Sequence, residues 1–240
     1  IKNLKKIHYV APTVWAWKAY RAKQMSKFLD LLLVLFPFEK KYFTSEGLDT
    51  EFVGHAGIFR MNNDETKAIS KKKIIDLNNL KIAILPGSRL TEIRKLMPVF
   101  VKVAMQLTKY FNNINFFIVT LPSLKNHIEK YLINVGLEYY ITDNLDEKYN
   151  IYSDVDCALC ASGTVSLELA NYRTPMVVAY KLNWMTWILV KIMVKINTAS
   201  IVNIILDKKI IPEFFQGRAS VENLTFAIKN LIIEDNIRNK

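Results

Sequence analysis

The second half of the chain alternates short apolar runs with segments that have helical periodicity. Five apolar runs follow one another from residue 81 onward: KIAILP (81–86), NFFIVT (115–120), EYYIT (138–142), VDCALC (155–160) and MVVAYK (176–181). Continuous apolar runs of this length are typical of strands that are buried on both faces of a parallel sheet. We therefore predict five parallel strands in this region.

The segment between the first two runs predicts a helix. Residues 91–111 bring six apolar side chains to one helical face, namely Ile93, Leu96, Met97, Phe100, Ala104 and Leu107. Pro98 lies within the segment and predicts a kink. Strands that alternate with helices indicate right-handed βαβ units and hence a doubly wound α/β sheet. Such sheets bind ligands beyond the carboxyl ends of their strands, so the loops after the first, fourth and fifth strands are the expected site.

The loop after the first predicted strand is PGSR, residues 86–89. Gly87 allows a tight turn and a close approach of the backbone to a ligand. Ser88 offers a hydroxyl, and the Arg89 guanidinium can bind phosphate or carboxylate through two parallel hydrogen bonds. Ser88 or Thr91 is expected to cap the following helix. The alternative interpretation is an ordinary strand-to-helix turn with a surface arginine.

The loop after the fourth predicted strand begins the segment ASGTVSLE, residues 161–168. Small residues around Gly163 leave the backbone amides open, which suits an anion such as a diphosphate. Ser162 and Thr164 can cap the helix and bond a ligand oxygen. Glu168 lies one helical turn beyond Thr164 and could accept hydrogen bonds from a ribose diol. The alternative is a capped helix with a solvated Glu168. Because no Walker loop and no G-x-G-x-x-G pattern occurs, ATP hydrolysis and dinucleotide oxidoreduction have little support.

Composition divides the rest of the chain. Residues 1–59 hold two apolar runs, DLLLVLFPF and EFVGH, and are interpreted as part of one domain. Residues 60–79 are polar and charged and predict a linker, so residues 80–240 form the second domain. The first residue is isoleucine and no signal peptide is recognisable, so we expect the chain to begin inside a longer protein.

The net charge of +11 is confined to the first half of the chain, which has 20 basic and nine acidic residues; the second half has 13 of each. A positive surface favours anionic lipid or phosphate-bearing ligands, although lysine-rich codon usage with a solvated face is an open alternative. Residues 182–196 are apolar, too short to span a membrane, and predict either an interfacial helix or a core helix. The membrane-facing candidates in this segment are Trp184, Trp187 and Lys191.

The two cysteines do not indicate a metal site or a redox site. Cys157 and Cys160 lie within one predicted strand, without a second pair of ligands. Buried, reduced thiols in a reducing compartment are expected instead. The three histidines are scattered and show no metal-ligand spacing.

Taken in order, several segments resemble the lipid-A-disaccharide synthase family. The segments are HYVAPTVWAWK (8–18), LFPFEKKYF (35–43), FVGH (52–55), LPGSRLTEI (85–93), ASGTVSLE (161–168), PMVVAYKL (175–182) and SIVNII (200–205). The resemblance spans nearly the whole chain, and the combination of V-W-A-W with LPGSR and SGT is specific to that family.

The resemblance implies the GT-B fold, in which two Rossmann-like domains face a cleft. It implies a hexosyltransferase that condenses UDP-2,3-diacylglucosamine with 2,3-diacylglucosamine 1-phosphate, giving lipid A disaccharide 1-phosphate and UDP. No metal, cofactor or nucleic acid is implied, and the expected location is the cytoplasmic face of the bacterial inner membrane, bound peripherally to its anionic surface. The implied donor-site residues are Gly87, Ser88, Arg89, Ser162, Gly163, Thr164, Glu168 and Asn203.

The chain also departs from the family pattern. The family has an early glycine-rich motif whose aspartate is a candidate general base, and this sequence begins after that motif. The catalytic residue is therefore left unassigned. Two alternatives stay open: a UDP-sugar-binding fragment or subunit that needs a separate N-terminal part or a homodimer partner, and another GT-B enzyme such as a UDP-sugar epimerase.

Overall fold

The computed structural model describes residues 4–55, 75–183 and 198–238. Backbone contacts divide these residues into two compact units, of which the first holds residues 4–55 and the second holds residues 75–182 and 198–238. Most of the predicted linker, and the predicted helix that carries Trp184, Trp187 and Lys191, lie outside the described residues. The predicted domain boundaries therefore stay a prediction.

The first unit is a three-stranded parallel sheet with two short helices. Its elements are β1 (Ile7–Tyr9), α1 (Tyr20–Met25), β2 (Leu31–Val34), α2 (Lys40–Thr44) and β3 (Thr50–Phe52). The strand order is β1-β2-β3, and the central strand buries Leu32 and Val34 against Phe43 of α2. β1 is exposed along its whole length. Because β1 is only three residues long, its sequence gives no periodicity from which to predict it.

A buried carboxylate ties together two of the sequence motifs in the first unit. Glu39 is only 3% exposed, and it accepts hydrogen bonds from the amides of Leu35 (3.2 Å) and Phe36 (3.0 Å) and from Nε1 of Trp15 (3.4 Å). Burial raises the pKa of this carboxyl group, although the three hydrogen bonds oppose the shift. The V-W-A-W and FPFE segments are therefore held to one another through Glu39.

The second unit has six parallel strands with helices between them. Its elements are β4 (Leu80–Leu85), α3 (Leu90–Leu107), β5 (Ile114–Val119), α4 (Lys125–Glu129), β6 (Tyr139–Thr142), α5 (Leu145–Asp154), β7 (Cys157–Ala161), α6 (Val165–Asn171), β8 (Met176–Tyr180), α7 (Ile201–Leu206), β9 (Glu213–Phe215), α8 (Val221–Ile233) and α9 (Asp235–Arg238). The strand order is β6-β5-β4-β7-β8-β9, and every neighbouring pair is parallel. This order confirms the predicted doubly wound α/β architecture. The chain adds strands on one side of β4 as far as β6 and then continues with β7 on the other side of β4, so the strand order switches between β4 and β7.

The central strands are buried as their apolar sequences predict. All five residues of β7 are buried, and α3 packs its predicted apolar face, including Ile93, Leu96 and Phe100, into the core. Pro98 lies inside α3, which nevertheless extends as one helix from Leu90 to Leu107.

Two strands of the second unit differ from the sequence-based expectation. Tyr139 and Tyr140 of β6 are exposed, because β6 is the last strand at one edge of the sheet. At the other edge, β9 was not predicted, because its three residues are only partly buried and too short to show a period.

Glu92 fixes the turn between β4 and α3. Its carboxylate accepts hydrogen bonds from the amides of Ser88 (3.0 Å) and Arg89 (3.3 Å), which would otherwise be unpaired at the start of the helix. The expectation that Ser88 or Thr91 caps α3 was wrong, because the carboxylate of Glu92 binds these amides instead. Gly87 has a φ of +114°, and a Cβ atom there would lie 2.3 Å from Oε2 of Glu92. Only glycine fits this position.

Replacing Gly87 with alanine should therefore destabilise the second unit. We expect Gly87→Ala to lower the free energy of unfolding by about 1–3 kcal/mol, because the methyl group strains the backbone and displaces Glu92. Gly217→Ala is the matched control, because a Cβ there meets no atom within 4 Å; its effect should stay within about 0.5 kcal/mol. Urea unfolding followed by circular dichroism measures both, and equal stabilities of the two variants would contradict this account of the turn.

Candidate functional site

The structure brings the two predicted loops together at one edge of the sheet. Residues 86–89 leave the carboxyl end of β4, and residues 162–164 leave the carboxyl end of β7. β4 and β7 are paired in parallel with Leu85 opposite Cys160, so the two loops begin about one strand spacing, roughly 4.8 Å, apart. This is the switch point of the sheet, where doubly wound folds bind their ligands.

The first loop presents the Arg89 side chain to solvent. Arg89 is 74% exposed, and its Nη1 lies 2.9 Å from Oε1 of Glu92, which leaves the remaining guanidinium N–H groups for a ligand. The amides of Ser88 and Arg89 are already bound to Glu92. The side chains of Arg89 and Ser88, rather than these two amides, are therefore the groups of this loop that can bind an anion.

The second loop presents its backbone. Thr164 stands at the N-cap of α6 but makes no side-chain capping bond, and the Ser162 hydroxyl donates to the carbonyl of Ala199 at 3.0 Å. The predicted capping by Ser162 or Thr164 was therefore wrong, because Ser162 ties the loop to the segment before α7 instead. Among the described residues, none accepts a hydrogen bond from the amide of Gly163 or Thr164. A Cβ at Gly163 would meet nothing within 4 Å, so the backbone here is open to approach.

Glu168 is neither solvated nor isolated. Its Oε2 lies 2.9 Å from Nζ of Lys148, and the two side chains are 20% and 15% exposed. The alternative of a freely solvated Glu168 is therefore wrong. Its carboxylate has a fixed position in the first turn of α6, one turn beyond Thr164.

Asn203, unlike Arg89, is buried. It is 2% exposed, its Nδ2 donates to the carbonyl of Ile211 (2.9 Å) and to Glu213 (3.1 Å), and its Oδ1 accepts from the amides of Ile210 and Ile211. These bonds use both donors of the side-chain amide and both lone pairs of its oxygen. In the structure this side chain holds the loop between α7 and β9. That Asn203 helps position the donor, as the family resemblance implies, stays a prediction.

Glu213 organises the neighbouring turn in the same way. Its carboxylate accepts hydrogen bonds from the Thr198 hydroxyl (2.7 Å) and from the amides of Ala199 (3.1 Å) and Ser200 (2.6 Å). Since the Ser162 hydroxyl donates to the carbonyl of Ala199, and the amide of Ala199 donates to Glu213, Glu213 is linked to the second loop through Ala199.

Three residues that shape this region were not identified from the sequence: Glu92, Lys148 and Glu213. Glu92 stands at the third position of α3, where a carboxylate commonly reaches back to the cap, so this signal was available. Lys148 and Glu213 gave no local signal, because each meets its partner across different elements of the fold.

The cysteines have no role in this arrangement. Cys157 and Cys160 are buried and form no disulfide, as predicted. Burial raises the pKa of the Cys160 thiol to about 12, so this thiol is not a nucleophile at neutral pH.

In the part of the chain that the structure describes, no helix has both the length and the apolar character that crossing a membrane requires.

The fold is similar to that of two solved structures whose names contain UDP or a UDP-sugar. The crystal structure of a putative UDP-N-acetylglucosamine 2-epimerase from Listeria monocytogenes aligns with 98% of this chain and 62% of its own, with a TM-score of 0.62 and 15% identity. The structure of MnaA from S. aureus with UDP aligns with 89% of this chain and 53% of its own, with a TM-score of 0.58 and 16% identity. At these identities the similarity concerns the fold, which is of the GT-B type.

Sequence comparisons identify the family. A family model described as lipid-A-disaccharide synthetase matches residues 1–240. The lipid-A-disaccharide synthase of Rickettsia prowazekii is 36% identical over 97% of this chain and 61% of its own length, and that of Psychromonas ingrahamii is 33% identical over 98% and 62%. The chain thus spans about three fifths of the length of these relatives. With the predicted motifs and the matching fold, this chain belongs to the lipid-A-disaccharide synthase family.

Proposed function

We propose that this chain supplies the donor-binding part of a lipid-A-disaccharide synthase. It binds the UDP moiety of UDP-2,3-diacylglucosamine, and the whole enzyme transfers the sugar to 2,3-diacylglucosamine 1-phosphate and releases UDP. The observation that carries this proposal is the pairing of an exposed Arg89 guanidinium with an open Gly163 turn at adjacent strand ends. Family membership over the whole chain supports the choice of substrates.

The chemistry of the leaving group explains why these groups are suitable. UDP gains negative charge as the glycosidic bond breaks, so donors fixed in advance around its phosphates stabilise the transition state. Arg89 can bind two phosphate oxygens at once, and the amides of Gly163 and Thr164 can bind a third. An arginine and backbone amides can perform this task in place of a metal ion. Ser88 borders the same turn, and Ser162 supports the second loop through Ala199.

Glu168 is the proposed ribose ligand. A carboxylate accepts hydrogen bonds through both oxygens, which matches the two neighbouring hydroxyls of a ribose. Its position one turn beyond Thr164 is compatible with a ribose bound next to a diphosphate. The general base that activates the acceptor hydroxyl is assigned to no residue of this chain.

We further propose that the enzyme works peripherally at the cytoplasmic face of the inner membrane. Both substrates carry acyl chains, and the first half of the chain holds the entire excess of positive charge. Such a charge attracts an anionic lipid surface. Trp184, Trp187 and Lys191 are proposed to face the membrane, on the strength of their sequence alone.

A second candidate is a binding fragment or subunit that is inactive alone. It is favoured by one observation, that the chain spans about 61% of the length of the R. prowazekii relative. A disaccharide-forming assay separates the two candidates: activity of the chain alone supports a complete catalyst, whereas activity only after addition of the N-terminal part of a relative supports the fragment.

Replacing Arg89 with alanine tests the first loop. We expect Arg89→Ala to weaken UDP binding roughly 10- to 100-fold, because it removes charge-assisted hydrogen bonds to the diphosphate. Arg94→Ala is the matched control, since Arg94 is an exposed arginine of the same helix, and it should bind UDP as the unaltered chain does. Isothermal titration calorimetry measures both, and an unchanged affinity of Arg89→Ala would remove this residue from the site.

Replacing Gly163 with alanine tests the second loop without disturbing the fold. The new methyl group meets no protein atom within 4 Å, so the free energy of unfolding should stay within about 0.5 kcal/mol of its original value. We expect UDP affinity to fall by about tenfold or more, because the methyl group occupies the space above the amides. Gly217→Ala adds a methyl group at another open glycine and should leave the affinity unchanged. Equal UDP affinities of the two variants would argue against a phosphate at Gly163.

A further inference from the structure

A charged and aromatic cluster joins the first turns of α5 and α6. Lys148 Nζ lies 2.9 Å from Glu168 Oε2, and both side chains are at least four fifths buried, with exposures of 15% and 20%. Exposed ion pairs contribute little, because both partners keep most of their water. The Lys148–Glu168 pair has lost most of its hydration, so removing one partner leaves the other charge poorly compensated.

Three tyrosines surround this ion pair. Lys148 Nζ lies 4.6 Å from the ring centre of Tyr149 and 5.8 Å from that of Tyr152. The rings of Tyr149, Tyr152 and Tyr172 contact one another with centroids 6.1–6.3 Å apart. The Lys148 side chain is therefore packed against aromatic rings, which restrict its position.

Tyr152 packs beside this ion pair. It is 1% exposed, and its ring centre lies 5.8 Å from Nζ of Lys148. Burial first, then the charge of the neighbouring Glu168 carboxylate and, to a smaller extent, hydrogen bonding to it raise the pKa of this phenol well above its usual value of 10. The Tyr152 hydroxyl therefore stays protonated beside Glu168.

The Glu168 carboxylate keeps capacity for a ligand. A carboxylate has about four acceptor positions, and among the described residues Lys148 fills one of them. Lys148 lies in the first turn of α5, which follows β6, and Glu168 lies in the first turn of α6, which follows β7. Both first turns are at the carboxyl edge of the sheet, the edge that carries the Arg89 and Gly163 loops.

We propose that Lys148 and Tyr152 are positioning residues that hold the Glu168 carboxylate in one orientation for the ribose hydroxyls of the donor. This inference rests on the proposed UDP site and names the residues that make its ribose contact selective. Lys148 also offsets the charge of Glu168, which would otherwise repel a diphosphate bound one helical turn away. Neither residue needs to touch the ligand.

The test compares UDP with 2′,3′-dideoxyuridine diphosphate, which lacks both ribose hydroxyls. We expect the full 240-residue chain to bind UDP about tenfold or more tightly than the dideoxy analogue, as measured by calorimetry. In Lys148→Met the affinities for UDP and for the analogue should differ by no more than about twofold. The affinity for UDP should fall, and the affinity for the analogue should change little. Lys148→Arg keeps the charge and should keep most of the ratio, and Tyr152→Phe should lower it at least about threefold.

A matched control separates positioning from a general loss of stability. Lys81 makes an ion pair of 2.8 Å with Asp154 at the other end of α5, so Lys81→Met removes a comparable bond from the same helix. Its preference for UDP should equal that of the unaltered chain. If Lys81→Met lowers the preference as much as Lys148→Met does, the positioning role is overturned.

The remaining outcomes separate this inference from the proposed function. Absence of any UDP binding by the unaltered chain would overturn the proposed donor site and this inference with it. Equal binding of UDP and its analogue would overturn the ribose contact while leaving a diphosphate site. A tenfold preference that survives both Lys148→Met and Tyr152→Phe would overturn the positioning role alone. If Lys148→Met does not fold by circular dichroism, Tyr152→Phe, which removes a single oxygen, decides.

Discussion

The parallel pairing of β4 with β7 brings the two loops of the proposed donor site next to each other. The pair joins strands whose connecting helices pass in opposite directions across the sheet, so the loops after Leu85 and Ala161 open next to each other and are not covered by a crossover. The Arg89 guanidinium is exposed on the first of these loops, and on the second the amides of Gly163 and Thr164 meet no hydrogen-bond acceptor among the described residues. Every other feature of the proposed site depends on these two strand ends being adjacent.

Three carboxylates and one side-chain amide near the turns bind the backbone of the chain itself. Glu39, Glu92 and Glu213 each accept hydrogen bonds from two backbone amides, and Asn203 uses its whole side-chain amide on a loop. These carboxylates satisfy amides that would otherwise be unpaired, and they fix the loops before any ligand arrives. Because the amides of Ser88 and Arg89 are bound by Glu92, the first loop offers side chains to the proposed site, whereas the second loop offers its backbone.

The sequence predicted the architecture better than it predicted the local chemistry. Long apolar runs identified the buried strands β4, β5, β7 and β8 and the edge strand β6, and the motifs after β4 and β7 identified the edge of the sheet at which the two loops meet. The short strands β1 and β9 were missed, since three residues show no periodicity. The helix caps were assigned from the sequence to serine and threonine hydroxyls, whereas the carboxylate of Glu92 binds the free amides at the start of α3. The partnership of Lys148 with Glu168 depends on how α5 and α6 pack on the sheet, which no local pattern encodes.

The central claim is that the loops after β4 and β7 hold one diphosphate between them. Nuclear magnetic resonance of the ¹⁵N-labelled chain during titration with UDP, with UMP as a comparison, tests this claim residue by residue. The account predicts that UDP shifts the amide signals of Gly163 and Thr164 together with the Nε signal of Arg89, along a single saturation curve, and that UMP shifts them less. UDP-induced shifts confined to other parts of the sheet, or separate saturation curves for the two loops, would contradict it.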